Sequence, residues 1–163
     1  MKMRCGWLVR AGVLLFALVV AVGVLSPVGP RVAESASSAK GTYEGKGPWN
    51  WKLGMVTEKG THKAKLRVKG NKLRGKTTTG GDCVTTYKMK IVGGAKLGGK
   101  SRLKGSMKDA CNTGTTTYDV NNGKLSIKEN RAGSRTFKAT MKGTYASGVD
   151  PGARLTTKYK GKD

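Results

Sequence analysis

From Lys40 onward the chain alternates apolar and polar positions with a period of two. That spacing sends successive side chains to opposite faces of a β-strand. In Lys63 to Lys69 the apolar set is Ala64, Leu66 and Val68, and the opposite set is Lys63, Lys65, Arg67 and Lys69. The pattern predicts a strand with one face in a core and a cationic face in solvent. Gly70-Asn71 offers a turn that tolerates positive φ, and Lys72 to Thr79 returns with Leu73 as its main apolar residue, so the segment reads as a hairpin.

The same grammar continues to the last residues. Tyr87, Met89 and Ile91 alternate with Lys88, Lys90 and Val92; Gly93-Gly94 and Gly98-Gly99 bracket a short piece; Leu103, Gly105 and Met107 alternate with Lys104, Ser106 and Lys108. Thr116, Tyr118 and Val120 lead into Asn121-Asn122-Gly123, after which Leu125 and Ile127 return against Lys124, Ser126 and Lys128, predicting a second hairpin. Phe137, Ala139, Met141, Gly143 and Tyr145 form another apolar face, and Leu155, Thr157 and Tyr159 alternate with Arg154, Thr156, Lys158 and Lys160. No stretch from Lys40 on sustains helical spacing, and the many Thr, Gly and Tyr residues disfavour helix.

The expected fold is all-β, an antiparallel up-and-down β-barrel of about eight to ten short strands, with a β-sandwich as the alternative. Closure is preferred because a run of hairpin-linked strands otherwise leaves exposed edges. Glycines at inward positions would let the strands coil tightly.

Charge and the N-terminal residues refine this picture. Lys2, Arg4 and Arg10 precede an uncharged, almost wholly apolar run from Ala11 to Leu25, followed by a looser stretch rich in Ser, Pro and Ala. Residues 1–39 therefore read as a secretory signal peptide with a short polar linker, with cleavage after Ser35, Ser37 or Ala39. The alternative is an uncleaved anchor formed by residues 11–30. Either way the chain is expected to be exported, secreted or held in the periplasm or cell envelope. Residues 40–163, one domain by length, carry 28 Lys or Arg against 8 Asp or Glu. That imbalance would suit a disordered chain, but the sustained alternation argues for a folded one.

Two cysteines remain after residue 39, Cys83 and Cys111, and an even pair in an exported protein reads as one disulfide. Cys83 precedes the strand at 84–92 and Cys111 follows the strand at 101–108, so antiparallel pairing would put both at one end of the sheet. With His62 as the only histidine and no CxxC spacing, no metal site and no cofactor are expected.

Gly47-Pro48-Trp49, on or beside the first strand, resembles the G-x-W signature that opens the lipocalin and avidin-like barrels of the calycin group. The resemblance implies that Trp49 closes one end of an up-and-down barrel. It also implies a pocket at a barrel end, for which Trp49, Trp51, Tyr87 and Tyr118 are the candidate lining residues.

Catalytic groups are scarce. His62, beside Thr61 and Lys63 at the start of a strand, is expected to be solvated. Asp82 and Asp109 flank the two cysteines and could imitate a paired-carboxylate site, although turn residues or partners for nearby lysines are the simpler reading. There is no Ser-His-Asp signature and no credible phosphate loop, so an enzyme is not expected.

The positive feature is the outward cationic face, and the candidate binding residues are Lys63, Lys65, Arg67, Lys69, Lys88, Lys90, Arg102, Lys104, Lys138 and Lys142. A field of one sign attracts anionic polymers or a membrane surface with little selectivity and strong salt dependence. Lysine outnumbers arginine and the outer face has almost no aromatics, which disfavours sequence-specific nucleic-acid recognition. The alternative is a barrel that binds a small apolar ligand or a protein partner, with the charge incidental.

Overall fold

In the computed structural model, residues 39–79 and 82–163 are described, and the expected signal or anchor before Ala39 lies outside them. Eight strands follow one another: β1 (Gly41–Leu53), β2 (Val56–Lys69), β3 (Lys72–Thr79), β4 (Cys83–Val92), β5 (Lys100–Cys111), β6 (Gly114–Glu129), β7 (Arg135–Gly148) and β8 (Arg154–Lys162). Each pairs antiparallel with its sequence neighbour, and β1 pairs with β8, so the sheet closes into an up-and-down barrel. Closure leaves no free edge among these strands, as the alternation predicts.

The period-two pattern sorts the side chains. Leu66, Val68, Leu73, Tyr87, Ile91, Leu103, Met107, Tyr118, Phe137 and Met141 are buried in one continuous core. An eight-stranded barrel has an interior just wide enough for side chains to fill. The ring of Tyr43 stacks on Phe137 at 4.7 Å, and Phe137 meets Tyr159 edge to face at 5.6 Å. The Tyr159 hydroxyl lies 2.9 Å from the Tyr43 carbonyl and 2.7 Å from that of Ala64, and it shares its proton between them. This ties β8 to β1 and β2 from inside, and burial pushes the phenol up to about 12.

Gly47 makes the closing seam what it is. A Cβ there would lie 2.0 Å from the Lys158 carbonyl oxygen, so β8 crosses β1 where only hydrogen fits. The ladder to β8 also skips Gly47 and Pro48, the proline having no N–H to donate.

One sequence expectation changes. Asn121-Asn122-Gly123 is not a hairpin turn; it lies inside the continuous β6. Thr116, Tyr118 and Val120 are buried at even positions and Gly123, Leu125 and Ile127 at odd ones, with Asn121 and Asn122 both exposed between them. Irregularities in pairing fall at the same place, against β5 at Leu103/Gly105 and against β7 at Asp119/Lys124. A bulge shifts the strand by one residue and restores the inward face without reversing the chain. The piece bracketed by the Gly pairs also forms no strand of its own: Leu97 makes an isolated bridge to Ile127, and β4 pairs directly with β5.

Candidate functional site

Every candidate cation has an exposed outward side chain. The register places eight of them on one wall: Lys63, Lys65, Arg67 and Lys69 on β2, Lys88 and Lys90 on β4, and Arg102 and Lys104 on β5. Between them β3 contributes Lys72, Arg74 and Lys76, all exposed. Sequence reasoning overlooked these three because Leu73 is the only large apolar residue on the other face of β3. Their strict alternation with Leu73, Gly75 and Thr77 was the available signal. Lys138 and Lys142 lie on β7, four strands around the ring from β3, and do not join this wall.

Opposed positions on the wall carry like charges. Lys65 faces Lys76, Arg67 faces Arg74 and Lys69 faces Lys72 between β2 and β3. Arg74 faces Lys88 and Lys72 faces Lys90 between β3 and β4, and Lys90 faces Lys104 on β5. Lys65 is paired with Glu44 at 2.6 Å, both largely exposed, and the other cations of the wall have no carboxylate within ion-pair distance among the described residues. An open groove of about 720 Å³ runs over β1 to β3, lined by Glu44, Lys46, Lys63, Lys65 and Lys76. A second hollow of about 520 Å³ lies around the β2–β3 turn, lined by Lys40, Arg67, Lys69, Gly70, Asn71, Lys72 and Arg74.

The turns that follow β1, β3, β5 and β7 meet at the opposite end of the barrel, and there the sign reverses. A hollow of about 380 Å³ is lined by Trp49, Trp51, Glu58, Asp82, Asp109, Asp150, Leu155 and the Cys83–Cys111 disulfide. Glu58, Asp82, Asp109 and Asp150 are half of the eight carboxylates after residue 39. Thr85 donates to Asp109 at 2.9 Å, Thr116 to Asp150 at 2.8 Å, and Asn112 to Asp82 at 2.7 Å. Burial raises the Asp109 pKa above the usual carboxylate range, opposed by the Thr85 hydrogen bond and assisted by the charge of Asp150. Glu58 and Asp150 escaped sequence reasoning. Counting alternate turns of a meander would have brought them to the same rim as Asp82.

Cys83 and Cys111 face each other across β4 and β5, with 4.1 Å between Cα atoms. Asp109 lies close to both sulfurs, but bonded sulfurs are not thiolates, so this grouping offers a metal one carboxylate rather than three ligands.

The four candidate pocket residues divide. Tyr87 and Tyr118 are core residues, and Trp51 packs on that core and donates its Nε1–H to the Tyr118 hydroxyl at 3.0 Å. Burial pushes the Tyr118 phenol up to about 12, against the lowering effect of the Trp51 bond. Trp49 is half-buried on the rim, packed over Gly60, with Nε1 unpaired among the described residues.

His62 corrects the expectation of a solvated side chain: it is 1% exposed. Strand β2 begins six residues earlier, at Val56, so His62 is mid-strand and shares the inward face of Ala64 and Leu66. Its ring lies parallel to that of Tyr159 at 6.4 Å, and neither ring nitrogen has a partner among the described residues. Burial lowers its pKa below 6.5. The neutral imidazole is therefore the folded form. Stability is complete above pH 6.5 and falls as pH drops from there toward the lowered folded pKa, because the unfolded chain binds the proton first. His62→Leu removes two unsatisfied buried atoms and is expected to raise stability by about 1–3 kcal/mol. Thermal melts from pH 7.5 to 4.5 check both points: the parent loses stability below pH 6.5, and the variant loses measurably less.

An eight-stranded, wholly antiparallel closed barrel with a cationic wall and an acidic rim is the class of structure these features define. No family model matches this sequence, and comparisons with curated proteins and with solved structures return no match.

Proposed function

We propose that this protein is an exported, non-enzymatic binding barrel whose cationic exterior associates with polyanions such as envelope polymers, acidic polysaccharide or anionic lipid. The observation that carries this reading is the separation of charge. Half of the carboxylates after residue 39 are withdrawn to one rim, so the wall of β2 to β5 presents outward lysines and arginines with no outward carboxylate among them. Charges of one sign on a low-dielectric body raise the local concentration of counter-charged polymer and speed its capture.

The calycin-like alternative, a small apolar ligand held near Trp49 and Trp51, has less in its favour. Tyr87 and Tyr118 occupy the interior it would need, and the hollow beneath the tryptophans is lined by carboxylates.

The test is salt dependence. Retention on heparin or on anionic vesicles should be strong at 50 mM salt and fall steeply by 200 mM. Neutralising six or more anions corresponds to an affinity loss of about a thousandfold or more over that range. Absent or salt-insensitive retention would sink the proposal.

A further inference from the structure

Resting on the polyanion reading, we infer that capture is local: the outward face of β2 to β5 is the site, and its occupant is a flexible linear polymer bearing phosphate or sulfate groups. The register stacks several like-charge rows side by side on this wall; elsewhere it gives a single row, Lys63, Lys46, Lys160 and Lys138 across β2, β1, β8 and β7, and the pairs Lys52–Arg154 and Arg102–Lys124. Across β7 and β8, Lys142 faces Thr156, Thr140 faces Lys158, Thr136 faces Lys162 and Thr144 faces Arg154, with Lys138 opposite Lys160 as the exception. Across β6 and β7, Lys124 faces Thr140 and Lys128 faces Thr136. Apart from that row and those pairs, these strands alternate charge with hydroxyl, which limits the repulsion of a solvated basic face.

On the β2–β5 wall the like-charge rows lie next to one another. Its outermost row runs Lys69, Lys72, Lys90, Lys104 across four adjacent strands, and the next runs Arg67, Arg74, Lys88. Neighbouring strands are about 5 Å apart and successive outward residues about 7 Å apart, so each row is a closely spaced line of charge. Like charges directly opposite each other destabilise a sheet. An anionic chain laid along such a row converts that repulsion into attraction. The hollow around the β2–β3 turn adds concavity where the rows begin, with Arg67 and Arg74 on its lining. Their guanidinium groups match the oxygens of a phosphate or sulfate in paired hydrogen bonds.

A linear polymer fits better than a lipid surface for two reasons. The wall is the convex outside of a barrel, over which a flexible chain can bend while a flat bilayer reaches few rows. It also offers few apolar groups for insertion: among the described residues of β2 to β5 the exposed large hydrophobic ones are Val56, Val84 and Val92, one on β2 and two on β4.

The experiment compares two variants of the full chain with the same change in charge. One carries Arg67→Thr, Lys72→Thr, Arg74→Thr and Lys90→Thr; the other carries Lys138→Thr, Lys142→Thr, Lys158→Thr and Lys160→Thr. Affinities for heparin, for inorganic polyphosphate and for phosphatidylglycerol vesicles are measured against salt. The wall variant is expected to lose about a hundredfold or more for the linear polymers and to lower the log–log salt slope by about three to four. The β7–β8 variant should lose less than tenfold. The polyphosphate and heparin arms distinguish phosphate from sulfate as the preferred group.

Equal losses in both variants would overturn the local site while leaving the polyanion reading intact. Tighter binding of vesicles than of either polymer would overturn the linear occupant. No binding by the parent at low salt would remove both readings. Threonine suits strands and relieves like-charge contacts, so the wall variant should melt at or above the parent. Should it melt lower, Arg67→Thr/Arg74→Thr against Lys138→Thr/Lys160→Thr makes the same comparison with one opposed pair on each side.

Discussion

Replacing Cys83 or Cys111 with serine lowers the melting temperature by more than about 10 °C. The bridge links residues 28 apart in sequence, and closing a loop of that size restrains the unfolded chain by about 3–4 kcal/mol. For a domain of this length that corresponds to roughly 10–15 °C. The structure adds a local reason. The disulfide holds the ends of β4 and β5 together at the rim where Asp82, Asp109, Glu58 and Asp150 gather. Melts of the serine variant, and of the parent with and without a dithiol reductant, check this. An unchanged melting temperature would mean that the bridge contributes little.

A methyl group at Gly47 is expected to cost more than its size suggests. Around an added Cβ the nearest atoms are the Lys158 carbonyl oxygen at 2.0 Å, its carbon at 2.8 Å and the Tyr159 Cα at 3.0 Å. All three are backbone, so no flexible side chain can yield, and β8 must move away from β1. Gly47→Ala should therefore destabilise by about 3–5 kcal/mol, at the upper end for a single substitution. It should also lower soluble yield, because parting the seam exposes two strand edges. Gly70→Ala is the control. Gly70 has a φ of +59° with nothing within 4 Å of an added Cβ, so the cost is the left-handed conformation alone, about 1–2 kcal/mol. Denaturant midpoints of the two variants measure the difference, and equal midpoints would count against the seam as a close-packed joint.

Most of the fold was legible because an eight-stranded barrel is written in one variable, the parity of apolar positions. Ala64, Leu66 and Val68 announced β2, and Phe137, Ala139 and Met141 announced β7, each with the observed inward face. Parity failed where a bulge reset it: Asn121-Asn122-Gly123 carries good turn residues, and only the cross-strand register shows the chain continuing. It was also available but unused at His62, whose even number matches Ala64, because a histidine between Thr61 and Lys63 looks polar by company.

The candidate site was half legible. Outward lysines follow from parity, but whether a lysine faces another lysine or a threonine depends on register, and one sequence does not encode register across eight strands. The acidic rim draws on β2, β5 and the turns before β4 and β8, which only the closed topology brings together.

The seam between β1 and β8 also governs when this fold can exist. The hydroxyl of Tyr159 reaches the carbonyl of Tyr43 across 116 residues of chain, and the ladder that shuts the ring joins the first strand to the eighth. Seven strands can accumulate hairpin by hairpin as neighbours, yet the cylinder is incomplete until β8 is released to pair. Contacts so distant in sequence slow the search for the native state. Until β8 pairs, β1 and β7 each lack their last partner, and unpaired strand edges of that kind are where misassociation starts.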